Sequence, residues 1–225
     1  MGQIDVLEIL GKLGLYYVPF LFALCVHEWA HGFVAKMKGD RTAEIMGRLT
    51  ISPFAHADII GTVVIPIVAI LSGWSFLFGW AKPVPVNERN LSHPKEDMFW
   101  IAFAGPLSNF IMAFIGTFVF VLLHLLPETM SLRASVLPIA QYFILINLVL
   151  AVFNMIPLHP LDGGKVLARF IPDSWNRTLE DNSQMLQIVL MILAFTGGLR
   201  ILAIPVEALM KMMLTSVRSF LLLFL

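Results

Sequence analysis

Three ionisable residues within five positions, His27-Glu28-Trp29-Ala30-His31, lie inside an almost unbroken apolar run from about Leu13 to Met37. No other feature constrains the chain as strongly. The run is about 25 residues, roughly 37 Å at helical rise, long enough to cross a bilayer. Backbone in lipid must satisfy its own hydrogen bonds, which makes the run a helix. Residues four apart share a helix face, so His27 and His31 present two imidazole nitrogens to one point while Glu28 stands beside them. By insertion scales an ionisable group within a membrane costs on the order of 2.5 to 3.5 kcal/mol, so this trio calls for a compensating partner. A metal ion is such a partner. Neutral imidazole is a good zinc ligand, and a catalytic zinc takes a third protein ligand and an open position for water, whose proton a neighbouring carboxylate can accept. In a soluble helix the same spacing can be two solvated histidines; the apolar setting favours the metal clamp.

The rest of the chain has the same character. At 225 residues, 58% hydrophobic and 13% charged, it reads as an all-α integral membrane protein in a lipid bilayer. A net charge of zero gives no reason to propose nucleic acid as a partner. No linker separates two soluble units, so residues 1–225 read as one membrane-embedded domain, with a core over about 13–170 and a C-terminal helical segment over about 185–225. The single cysteine, Cys25, excludes an internal disulfide. The N-terminus lacks a basic region followed by a short apolar core and a small-residue cleavage site, so no removable signal peptide is expected.

Beyond the first helix, Arg41 to Asp58 is polar and irregular. His56 and Asp58 there suit an interfacial turn or helix cap better than support of a metal. The apolar run Ile59 to Trp80 is interrupted by Pro66 and by Ser72-Gly73. Gly79-Trp80-Ala81-Lys82-Pro83-Val84-Pro85-Val86-Asn87 follows, where alternate prolines forbid helix and favour extended chain lining a groove. A long helix is expected over about Asp97 to Leu126, carrying Gly105-Pro106-Leu107-Ser108-Asn109. Asn109 there either glues helices together or lines a site. A further apolar segment, about Val136 to Ile156, ends in Asn154-Met155-Ile156-Pro157-Leu158-His159-Pro160-Leu161-Asp162-Gly163-Gly164, whose prolines and glycines break the helix and put Asp162 on a tight turn. A polar stretch, Pro172 to Gln184, leads to a last apolar segment from about Met185, broken at Gly197-Gly198. The tail after Arg200 either spans the membrane or lies in its interface. In all, about five transmembrane helices are expected, with a re-entrant or extended hairpin between the first helix and the Gly-Pro-containing one.

The His-Glu-x-x-His pentad, the Gly-Pro-x-x-Asn segment and the Asn-x-x-Pro-x-x-Pro-Leu-Asp-Gly-Gly segment occur in this order on apolar helices. In this the chain resembles the site-2 protease family of intramembrane zinc metalloproteases from about residue 15 to 170, most of all compact bacterial members that carry a Gly-Trp-Ala-Lys-Pro-Val-Pro-Val-Asn segment. The resemblance implies one zinc ion per chain, held by His27, His31 and Asp162, with Glu28 as general base and Asn154 positioning substrate or stabilising the oxyanion. It implies a transmembrane protein or peptide as substrate, in regulated intramembrane proteolysis or in clearance of signal-peptide remnants. His159 departs from the family pattern; its closeness to Asp162 in sequence would let it compete as a ligand or support the site, but a place outside the site is favoured. A membrane zinc-binding or transport protein is the alternative, with Glu28 as a ligand rather than a base. An inactive relative that only binds membrane helices is a third reading.

Topology can be argued from the same residues. For Asp162 to reach the metal, the end of the segment before it must lie on the same side as the end of the first helix, so one intervening apolar segment must fail to cross. With Ile59 to Trp80 as a hairpin, Lys36, Lys38, Arg41, Arg48, Lys82, Arg89, Lys95, Lys165, Arg169 and Arg177 share one side and Lys12 and Arg133 the other. Basic residues gather on the cytoplasmic side, which predicts a multi-pass protein of the cell membrane with its site nearer the cytoplasm.

Overall fold

The computed structural model describes residues 6–72 and 79–223. Among the described residues every regular element is helical. Helix α1, Val6–Met37, starts ahead of the apolar run, where an ion pair between Glu8 and Lys12 at 2.7 Å supports the leading turns. A π-helical stretch, Leu13–Tyr17, comes just before Pro19, whose ring cannot follow a regular α-turn. Gly39, with φ of 103°, ends α1 in a left-handed turn that a side chain would strain.

Helix α2, Ile59–Leu71, is roughly 20 Å long at helical rise, short of the ~30 Å of a bilayer core. Asp58 caps it, accepting hydrogen bonds from the backbone N–H of Ile60 (3.0 Å) and Gly61 (2.7 Å). Gly73, half of the expected break, lies outside the described residues. At Trp80 the chain is back beside the start of α2. Trp80 N–H donates to the Gly61 carbonyl at 3.1 Å, the Thr62 hydroxyl donates to the Trp80 carbonyl at 2.7 Å, and Lys82 N–H donates to the His56 carbonyl at 2.8 Å. Residues 79–87 are not helical, as their prolines require.

Helix α3, Pro94–Leu125, and helix α4, Ser131–Asn154, complete the central bundle. The end of α1 meets the start of α3 through an ion pair between Lys38 and Asp97 at 3.1 Å. Short helices α5, Asp162–Ala168, and α6, Asp173–Asp181, lie at the same end, where Lys95 pairs with Asp173 at 2.8 Å. Helices α7, Ser183–Thr196, and α8, Ala203–Leu221, meet at a bend of 84°, where Gly197 has φ of 80°. The tail is part of the bundle: Val206 and Met213 of α8 are buried against Ala113 of α3 and Ile144 and Leu148 of α4. A second buried cluster joins Phe20, Ala23 and Leu24 of α1 to Leu150 of α4. Among the described residues three helices, α1, α3 and α4, are long and apolar enough to cross a membrane, or four if α7 and α8 form one broken span. About five were expected besides the hairpin; the last apolar run is divided at its glycines, so α7 and α8 count at most as one broken span.

Asp40 ties the end of α1 to the returning chain. Its side chain is fully buried and accepts from the N–H and hydroxyl of Thr42, from Asn87 N–H at 2.8 Å and from the Asn90 amide at 2.7 Å. Burial pushes its carboxyl up, and the four donors more than offset this and hold it below the usual carboxylate range. This stability is present above the unfolded carboxyl's pKa and is lost as pH falls through the depressed folded value. Asp40→Ala strands those donors, and leaving one buried donor unpaired costs about 1–3 kcal/mol. The expected outcome is a lower thermal midpoint in detergent and faster proteolysis within residues 82–90 than in the wild type.

Candidate metal centre

Two turns from the end of α1, His27 and His31 are buried, as helical spacing on an inward face dictates. Their Nε2 atoms lie 3.0 Å and 3.3 Å from Oδ2 of Asp162, and the two rings stand nearly perpendicular with centroids 4.7 Å apart. Donors held about 2 Å from a tetrahedral zinc stand about 3.3 Å from one another, so the spacing suits a single ion. Two imidazole nitrogens and one carboxylate oxygen are also a donor set that a catalytic zinc takes. Among the described residues this is the one group of three or more such side chains close enough to share an ion.

Asp162 arrives by way of the break after α4. It is the first residue of α5 rather than a turn residue, and the two glycines after it serve close packing. A Cβ on Gly163 would collide with the carbonyl oxygens of Ile156 and Met155, and one on Gly164 would sit 2.7 Å from the His159 nitrogen. The start of α5 therefore lies directly on its own preceding loop, which aims the carboxylate at α1.

The Gly-Pro-x-x-Asn segment of α3 forms the opposite wall. A Cβ on Gly105 would lie 2.5 Å from Nε2 of His31 and 2.6 Å from Nε2 of His27, so only glycine leaves the space between the histidines and α3 free. Pro106 has no N–H for the carbonyl four residues back, that of Ala102, and Ala102 lines the cavity at the site. The far nitrogen of each histidine is held from α3 as well. Nδ1 of His31 donates to the Ile101 carbonyl at 2.6 Å, and Nδ1 of His27 lies 2.6 Å from Oδ1 of Asn109. Asn109 also donates to the Ala23 carbonyl at 3.2 Å, so it both joins helices and supports the site.

Glu28 faces the same cavity of about 160 Å³, together with Val84 and Asn154. Its Oε2 accepts from Val84 N–H at 2.8 Å, so the proline-rich segment does line the groove. Asn154 directs one amide hydrogen to the Leu150 carbonyl of its own helix at 3.0 Å. His159 is buried but points elsewhere: its Nε2 is 3.0 Å from Oδ1 of Asn176, in a neighbouring cavity. His56 is bound to the Thr50 carbonyl at 2.6 Å, away from the site. Sequence reasoning missed Asn147, Lys165 and the backbone groups of Val84 and Ile101. For Asn147 there was a signal, a lone amide in an apolar run.

Comparison with known proteins accords with this geometry. The family model described as Peptidase family M50 matches residues 15–128 and 124–196. YwhC of Bacillus subtilis is 40% identical over 158 residues, covering 69% of this chain and 68% of that protein. Rip2 of Mycolicibacterium smegmatis is 24% identical over 194 residues, covering 86% of this chain and 71% of the relative. The zinc metalloprotease MJ0392 of Methanocaldococcus jannaschii is 34% identical over 151 residues, covering 67% of this chain and 32% of its own. No solved structure matches. With the family model matching most of its length, this chain belongs to peptidase family M50.

Proposed function

We propose that this zinc metalloprotease of the membrane hydrolyses peptide bonds within or near the membrane-spanning segments of other proteins, with zinc held by His27, His31 and Asp162. The observation that carries the reading is the convergence of those three side chains beside Glu28 in one small cavity between apolar helices. A zinc ion there supplies Lewis acidity, making water a better nucleophile and drawing charge from the scissile carbonyl. The Glu28 carboxylate takes the proton of the attacking water and passes it to the leaving amine. Val84 N–H holds Oε2 of Glu28 in place, which leaves Oε1 for the proton. Asn154, at the cavity wall, has a second amide hydrogen for the oxygen on which negative charge develops. Residues 1–225 act as a single membrane-embedded domain in this reading.

The proposed topology has α1, α3 and α4 crossing the cell membrane, α2 and residues 79–87 forming a re-entrant hairpin, and the metal site nearer the cytoplasm. Three features support it: the Trp80 hydrogen bond to the Gly61 carbonyl, the Lys38–Asp97 ion pair between the end of α1 and the start of α3, and the one-sided distribution of Lys and Arg. Irregular backbone at membrane depth is tolerated where it lines a wet cavity, as Pro83 and Val84 do.

Glu28→Gln keeps the shape and removes the base, so cleavage of a co-expressed single-span membrane protein is expected to stop while bound zinc stays near one per chain; normal cleavage refutes the role of Glu28. Asp162→Ala is expected to lose zinc and activity together, whereas His159→Ala keeps its zinc; metal analysis of the purified variants reads both, and the reverse result exchanges their roles. For topology, single cysteines replace Asn87 and Ser131, both exposed, in a Cys25→Ala background. An impermeant thiol reagent applied to intact cells is expected to label position 131 and not 87; the opposite pattern rules out the hairpin.

A further inference from the structure

Among the described residues one chain of buried hydrogen-bond partners extends well beyond the histidines. It begins at Asn147, midway along α4 and fully buried. Nδ2 of Asn147 donates to the carbonyl of Phe143, one turn back, at 2.9 Å. That turns its Oδ1 toward α3, where it accepts from Nδ2 of Asn109 at 3.0 Å. Asn109, also fully buried, gives its other Nδ2 hydrogen to the Ala23 carbonyl at 3.2 Å. Its Oδ1 then faces Nδ1 of His27 at 2.6 Å.

The orientation of the Asn109 amide follows from this chain. Turned over, Asn109 would set its oxygen against the Ala23 carbonyl and against Oδ1 of Asn147, three acceptors with no hydrogen between them, and would aim an N–H at His27. As it stands, the group facing Nδ1 of His27 can only accept, so when Nε2 is given to a metal ion the ring hydrogen has its place on Nδ1. The lone pair is then on Nε2, the atom 3.0 Å from Oδ2 of Asp162. The two histidines differ here. His31 is set by a backbone carbonyl, that of Ile101, which cannot turn over. His27 is set by an amide that can, and two acceptors hold it, the Ala23 carbonyl and Oδ1 of Asn147.

We propose that Asn147 is a positioning residue for the metal site: acting through Asn109, it fixes His27 in the Nδ1–H tautomer, whose Nε2 can bind zinc. The inference rests on His27 being a zinc ligand. Asn147 touches neither the cavity nor the three converging side chains, so its effect passes entirely through the orientation of one amide. Losing such a supporting partner typically weakens metal binding roughly 10- to 100-fold.

The test reads the tautomer and the metal separately in the full chain purified in detergent. Histidine labelled with ¹⁵N distinguishes neutral Nδ1–H from neutral Nε2–H imidazole in a metal-free Asp162→Ala background, which removes the carboxylate facing both Nε2 atoms, and His27→Gln assigns the His27 signal. With Asn147 intact, this background is expected to show the Nδ1–H form at both His27 and His31. Adding Asn147→Leu is expected to give the Nε2–H form at His27 alone, and in the chain that keeps Asp162 the zinc dissociation constant of Asn147→Leu, measured against a competing chelator, is expected to rise roughly 10- to 100-fold. Asn147→Thr, whose hydroxyl donates to Phe143 and still offers Asn109 an acceptor, is expected to stay within about threefold of wild type. Asn147→Ala carries the same measurement if the leucine variant does not fold. An unchanged His27 tautomer in the leucine or alanine variant overturns the proposal, as does an equal change at His31, which marks general loosening. His27→Gln binding zinc as tightly as wild type instead overturns the ligand assignment beneath it, so the two failures are distinguishable.

Discussion

Two imidazoles and a carboxylate meet at one point among apolar helices, and most of the structure follows from holding them there. An imidazole binds metal through one nitrogen only if the other carries the hydrogen and has somewhere to donate it. In lipid no water is at hand for that, so the acceptors must come from a neighbouring helix. Helix α3 supplies both, the Ile101 carbonyl for His31 and the Asn109 amide for His27. To do so it must lie almost against the rings, which is why Gly105 has no room for a Cβ. The close approach is held from outside the site by the Lys38–Asp97 pair and the buried Asp40 cluster. The same logic governs α5, where two glycines let the helix carrying Asp162 rest on its own loop.

Chemistry then needs water and an extended peptide at a place where the surroundings exclude both. The segment with prolines at 83 and 85 answers part of that need. Prolines cannot donate, so of the residues flanking Val84 neither competes for Glu28, and the Val84 N–H holds its carboxylate. The segment reaches the cavity because the chain turns back at the start of α2, where Trp80 and Lys82 bond to Gly61 and His56. A crossing helix at this position would satisfy its own backbone and offer nothing to Glu28.

Much of this was legible in the residues taken in order. The pentad announced its geometry because helical spacing is local, and the apolar run made helix the only backbone choice. Gly-Pro-x-x-Asn could be seen to matter without revealing whether Asn109 joins helices or supports the site; it does both, since its oxygen and nitrogen face different partners. The Asp-Gly-Gly segment read as a turn, yet Asp162 starts a helix and the glycines relieve a collision. His159 and Asp162 were indistinguishable as ligands by residue type, and only the direction of the loop separates them. Counting apolar runs does not register where a run bends, as the last one does between α7 and α8.

The sequence by itself determined the solvent, the helical class and the pair of histidines with their neighbouring base, because composition and short-range spacing carry that information; Asp162 as third ligand came from the resemblance to site-2 proteases. Tertiary structure alone decided that an acceptor faces Nδ1 of His27, where the Val84 N–H points, that Asn147 is tied to Asn109 and that the C-terminal helix joins the core. Each of these depends on contacts between residues far apart in the chain, such as Asn109 and Asn147 or Glu28 and Val84. No local pattern specifies which of many buried polar groups will meet; the packing of three helices does.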